Sequence, residues 1–134
     1  MKTTKLIQSV LLLSCLACTS VSMAGDIYVI SNSSLSLGAG DTRDVFLGDT
    51  QFVGKVALLV IDNSGIKADF TDKVLGMEAD KYRTYWAKKS FRDGVKIPTQ
   101  KTSDNDVITL VKATPGAVGY VSSQPSGVNV IKKY

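Results

Sequence analysis

The order of apolar and polar positions divides the chain into short runs with two different periods. Residues 26–30 form a β-branched and aromatic run that predicts a first strand. Residues 31–40 are rich in Ser and Gly and predict a loop, with Leu35 and Leu37 turned inward. Asp41 or Thr42 is placed to cap a short helix through Arg43, Val45, Phe46 and Leu47, and Gly48 stops it. Residues 56–61 are apolar throughout with no alternation, the pattern of a central strand covered on both faces.

The turn cluster Asp62, Asn63, Ser64, Gly65 follows, and a helix is predicted from Ile66 to Leu75, before Gly76. Residues 78–92 predict a second, stronger helix, with its acids early and Lys88, Lys89 and Arg92 late, as the macrodipole favours. Tyr82 and Trp86, with Phe91 read on the same side, are expected in the core rather than stacked on a ligand. Residues 97–100 read as extended. Ser103 opens a helix with Asp106 three positions on and Val107, Ile108, Leu110 and Val111 at helical spacing. Residues 117–121 and 128–131 predict the last two strands, separated by a turn-rich loop. Strands and helices alternate, so the expected fold is α/β, with a single sheet flanked by helices.

The N-terminus carries an address. Lys2 and Lys5 precede an apolar stretch over residues 6–18, and the segment closes with small residues at Ser22 and Ala24. This is the three-part secretory signal, with the cut expected after Ala24. A membrane anchor is the competing reading, but Gln8, Ser9 and Ser14 interrupt a run already shorter than the roughly 20 residues that span a bilayer. A lipoprotein would need Cys15 or Cys18 as the acylated residue. The expected organisation is a signal over residues 1–24, then a single domain over residues 25–134 with no membrane span after cleavage.

Cleavage changes the chemistry available. It removes both cysteines, and the chain has no histidine. Of 16 basic and 12 acidic residues the signal takes two lysines, leaving 14 against 12. No basic tract with interleaved aromatics remains, so nucleic acid is not an expected partner. Without Cys and His there is no Ser/His/Asp or Cys/His nucleophile and no zinc site of the usual ligands. The carboxylates fit no calcium loop, and Asp104 with Asp106 reads as helix capping. The expectation is a protein that is not an enzyme and carries no cofactor and no metal. One segment reads positively: Ser64, Gly65, Ile66 and Lys67 follow a buried strand and open a helix, where backbone N–H groups, a hydroxyl and a lysine could hold an anion. Asn63 or Ser64 merely capping that helix is the plainer alternative.

Several segments, in order, resemble the second lobe of phosphate ABC transporter substrate-binding proteins and the short stand-alone proteins with that domain. Asp44 to Gly48 is similar to the family's DIFLG helix end. Ser64 and Gly65, then Phe70, then Val74, Leu75 and Gly76 resemble its SGT…F…VLG stretch. Tyr85 and Trp86 with Phe91 and Gly94 resemble YW…F.G, and residues 114–121 resemble TPGAIGYV. The resemblance implies one lobe of a type 2 periplasmic-binding-protein fold, a mixed sheet flanked by helices, in the periplasm. It implies phosphate or another oxyanion as ligand and an ABC transporter downstream. The sequence departs from the pattern where the anion should sit. The family's threonine is Ile66 here, and its arginine four positions before the serine falls on Val60. Loss of a bidentate arginine removes one of the strongest phosphate contacts. Two functions follow as alternatives: a periplasmic solute-binding module with weak or lost binding, or an envelope interaction or sensory module that keeps the fold without phosphate. For the second, a sensor, porin or transporter, or a second copy with the two lobes facing, is the expected partner.

Overall fold

A computed structural model describes residues 25–134; the expected signal, residues 1–24, lies outside the described residues. The chain runs β1 (Tyr28–Ser31), α1 (Thr42–Phe46), β2 (Phe52–Val53), β3 (Val56–Ala57), β4 (Leu59–Asn63), α2 (Lys67–Phe70), α3 (Ala79–Asp93), β5 (Thr99–Lys101), α4 (Asp104–Ala113), β6 (Ala117–Val121) and β7 (Asn129–Lys133). Five strands form one sheet in the order β5-β4-β6-β1-β7, and β2 pairs with β3 as a separate hairpin. β4 is parallel to both β5 and β6, whereas β1 is antiparallel to β6 and β7. The sheet is therefore mixed, with β1 running against its four companions.

Both faces of the sheet are covered. On one, Val29, Val118 and Tyr120 pack with Val45 and Phe46 of α1, Phe70 of α2, and Tyr82 and Trp86 of α3. Phe70 stacks on Tyr120 at 3.8 Å between ring centroids, and Phe46 meets both rings edge-on. On the other, Ile30, Ile61 and Val121 pack with Val107 and Val111 of α4. Coverage of both faces is why the strand run lacks alternation, as its apolar pattern indicated.

Several local expectations are corrected. The apolar run splits: Val56 and Ala57 belong to the exposed hairpin, and the central strand begins at Leu59. Gly54 at φ +59° makes the hairpin turn, a conformation that L side chains adopt at a cost. Neither Asp41 nor Thr42 caps α1 through its side chain; Asp41 Oδ2 instead accepts the Gly38 N–H at 2.9 Å. The helix expected from Ile66 to Leu75 is one α-turn that widens into a π-turn over Thr71–Leu75 before Gly76. Phe91 is 95% exposed. The buried face of α3 is set by Tyr82 and Trp86, and the next residue on that stripe is Lys89, at i+7 and i+3, not Phe91. Lys89 is accommodated because its Nζ donates to Asp49 Oδ1 at 2.7 Å and to Tyr85 Oη at 3.2 Å.

α4 lies close to the sheet because β6 has no side chain at Gly119, where a Cβ would come within 2.8 Å of Val107 Cγ1. Gly119→Ala is expected to destabilise the fold by about 1–3 kcal/mol through overpacking. Adding Val107→Ala should recover part of that loss, making the double variant less impaired than the sum of the two singles. Urea unfolding of the four proteins measures this, and strict additivity would show that the α4–β6 contact does not limit the approach.

Candidate functional site

Residues 64–67 lie just beyond the C-terminal end of β4, the end of a parallel α/β arrangement at which ligands are usually received. Ser64 and Gly65 are exposed, while Ile66 and Lys67 are half-buried. The four residues named from the sequence thus form one contiguous turn leading into α2.

Three of the four backbone donors of that turn are already engaged. Ser64 N–H donates to Lys101 O at 2.8 Å, Gly65 N–H to Asn63 Oδ1 at 3.2 Å, and Ile66 N–H to Asn63 O at 3.1 Å. Asn63 is fixed in turn, its Nδ2 donating to Asp104 Oδ1 at 2.8 Å and to Tyr120 O at 3.4 Å. Gly65 serves this packing directly, since a Cβ there would lie 3.3 Å from Asn63 Oδ1 and 3.4 Å from Thr102 O. What the turn still presents outward is the Ser64 hydroxyl and the flank of Lys67. α2 is a single α-turn, so its macrodipole adds little to an anion.

Lys67 is turned inward. Its Nζ lies 3.9 Å from Asp62 Oδ2, and the Asp62 side chain is 1% exposed. Asp62 Oδ1 accepts the Tyr82 hydroxyl at 3.0 Å and the Tyr120 hydroxyl at 3.2 Å, and Oδ2 accepts Gln100 Nε2 at 3.0 Å. Burial pushes the Asp62 carboxyl above its ordinary 3.8, and the Gln100 bond, the Lys67 charge and the two tyrosines offset part of that rise. The tyrosines are held well above the ordinary 10.0 by burial first and by the Asp62 charge second, so they remain donors. Asp62, Lys67, Tyr82, Trp86 and Gln100 line a pocket of about 110 Å³ under α3.

This buried carboxylate is the feature that sequence reasoning missed. Asp62 opens a turn cluster in the sequence, yet it is also the last but one residue of β4. The signal was its parity with Val60: alternate residues of a strand share a face, and the face of Val60 is core. Tyr82 and Trp86 were read correctly as core, but the Tyr82 hydroxyl also needs a partner, and that need was a second pointer.

A raised carboxyl has a definite sign in the pH dependence. Between pH 3.8 and the folded-state pKa, the native protein binds more protons at Asp62 than the unfolded chain does. This group's contribution therefore falls as pH rises through that window, and its penalty is complete above it. Asp62→Asn keeps the shape and removes the charge. The melting temperature of Asp62→Asn minus that of the unaltered protein is expected to grow from about pH 4 upward and then level off. A difference that stays flat, or falls, would mean that the four surrounding groups outweigh desolvation.

No family model matches the chain, and no curated protein matches it. Among solved structures, a phosphate ABC transporter substrate-binding protein from Clostridium perfringens, determined with bound phosphate, is similar at a TM-score of 0.56 and 13% identity. The match covers 81% of this chain and 46% of that one, so the chain spans about half the length of its structural neighbour. What the two share is the fold: an α/β layer with a mixed five-stranded sheet flanked by helices, in the manner of one lobe of a periplasmic-binding-protein architecture.

Proposed function

We propose that this chain is an exported, non-enzymatic lobe of the solute-binding type, with residues 64–67 as its ligand-facing edge and weak affinity for phosphate or a related oxyanion. The observation that carries the reading is the position of that turn, just past β4 and beside the ends of its parallel neighbours, in a fold shared with a protein solved with phosphate. Ser64 offers a hydroxyl and Lys67 a cation that could swing from Asp62 to an incoming anion. Affinity is weak because the three amides of the turn already have acceptors and because Ile66 and Val60 supply no donor. A half-open edge also leaves the anion hydrated and screened. A millimolar dissociation constant corresponds to only about 4 kcal/mol.

A second reading is favoured by the same accounting. A turn with three of its four amides satisfied internally has little need of a ligand, which suits a module that keeps the fold and acts through a protein partner in the envelope, such as a sensor, porin or transporter, or through a second copy. Among the described residues no helix is long and apolar enough to cross a membrane. Export and cleavage after Ala24, taken with the family resemblance, would place this module in the periplasm, with secretion into the medium the alternative, and mass spectrometry of the exported protein should then find Gly25 as its first residue. An acylated N-terminal cysteine would instead make it a lipoprotein.

Thermal melting of the exported protein, with phosphate titrated against chloride at matched ionic strength and sulfate alongside, separates the two readings. At ten times a millimolar dissociation constant, phosphate should add about 1.4 kcal/mol, a rise of several degrees for a domain of this size. That rise should vanish in the Ser64→Ala, Lys67→Ala double variant. Equal curves in phosphate and chloride would rule out phosphate binding by this lobe and leave the interaction module standing.

A further inference from the structure

At the opposite end of the sheet, where β4 and β5 begin, an apolar pocket of about 150 Å³ opens between the β2–β3 hairpin and the segment that leads into β5. Phe52, Leu59, Trp86, Val95, Ile97 and Pro98 line it. Phe52 and Ile97 remain 61% and 50% exposed at its mouth. Bulky apolar groups left in water together around one concavity mark a contact surface, whereas an isolated one such as Phe91 does not. The pocket is well below the roughly 300–1,000 Å³ of sites that enclose a small-molecule ligand. It has the size for one side chain.

The charges around it specify what that side chain belongs to. Lys96 is in the wall and Lys55 stands in the hairpin turn; both are exposed. Neither is ion-paired among the described residues. The nearby acid, Asp49, is taken by Lys89 at 2.7 Å. The rim is therefore open and positive. A second copy is a poor occupant, because a two-fold contact sets the same patch against itself and brings like charges together.

We propose that this groove is the docking site for an acidic segment of a partner protein, anchored by one bulky apolar side chain seated among Phe52, Trp86, Ile97 and Pro98. The site is separate from residues 64–67 and stands whether or not that edge holds an oxyanion. The anchor supplies the burial and the lysines supply orientation and rate, the usual division of work at an interface.

Trp86 is the chain's sole tryptophan and reports on the pocket directly. The test uses the exported protein with a labelled ten-residue peptide carrying one Phe among Asp and Glu residues, followed by anisotropy and by Trp86 emission. Saturable binding that weakens with added salt is expected, with the Phe→Ala peptide and a Lys-for-acid peptide both inactive. Lys55→Glu with Lys96→Glu should weaken binding about tenfold or more, as should Ile97→Ser. Phe91→Ser, exposed but outside the groove, should bind normally. All these positions are exposed, so melting curves confirm that the variants fold. Absence of binding up to millimolar peptide, equal binding of the basic peptide, or indifference to the charge reversal would overturn the proposal. Concentration-dependent dimerisation abolished by Ile97→Ser would overturn it too, assigning the groove to a second copy.

Discussion

A carboxylate taken almost wholly out of water has to be surrounded by donors or it will not stay charged, and the packing around Asp62 answers that demand from four directions. Tyr82 comes from α3, Tyr120 from β6, Gln100 from β5 and Lys67 from the start of α2. Each is attached to a different element, so the network fixes the elements relative to one another as well as satisfying the charge. The edge strand benefits most. β5 is three residues long and pairs only with β4, and the Gln100 bond to Asp62 joins the two strands a further time. Hydrogen bonds of this kind contribute specificity more surely than net stability, since removing any one partner leaves another buried group unpaired.

The same network decides the state of the turn that follows. With Asp62 and Asn63 both anchored, Ser64 N–H is delivered to Lys101 O on β5, and Asn63 closes over Gly65 and Ile66. Lys67 finds a carboxylate within reach before any solute arrives. A ligand at this edge must therefore compete with the protein's own acceptors. Preorganised donors are what make an anion site strong, and here the preorganisation is directed inward. The substitution pattern seen in the sequence, Ile66 and Val60 where a hydroxyl and a guanidinium belong in the resembled family, points the same way by independent reasoning.

Burial explains which features could be read from the residues. The α/β alternation, the two-sided core and the helix boundaries at Gly48, Gly76 and Gly94 follow from patterns local to a few residues, and each of these glycines has positive φ. Phe91 lies outside the core because its angle around the helix outweighs its aromatic character, and Lys89 takes the core position through a partner 40 residues away. The β2–β3 hairpin was hidden because Val56 and Ala57 abut the apolar strand without a break in composition. Asp62 was hidden for a related reason: its partners come from positions 67, 82, 100 and 120, and no local pattern shows that these converge. Residues 64–67 could be named from strand–turn–helix chemistry, but the spending of their amides depends on Lys101 and Asp104, which tertiary structure alone brings near.

The two ends of the sheet are thus unlike in what they leave unsatisfied. At the C-terminal ends of the parallel strands, most of the hydrogen-bonding capacity of the turn is consumed internally. At the N-terminal ends, Phe52 and Ile97 remain in water near Lys55 and Lys96, which have no ion pair among the described residues. Binding free energy comes from groups that gain on contact, and those groups lie at the second end. With this distribution of unsatisfied groups, the proposed groove has more to gain from contact than the turn at residues 64–67.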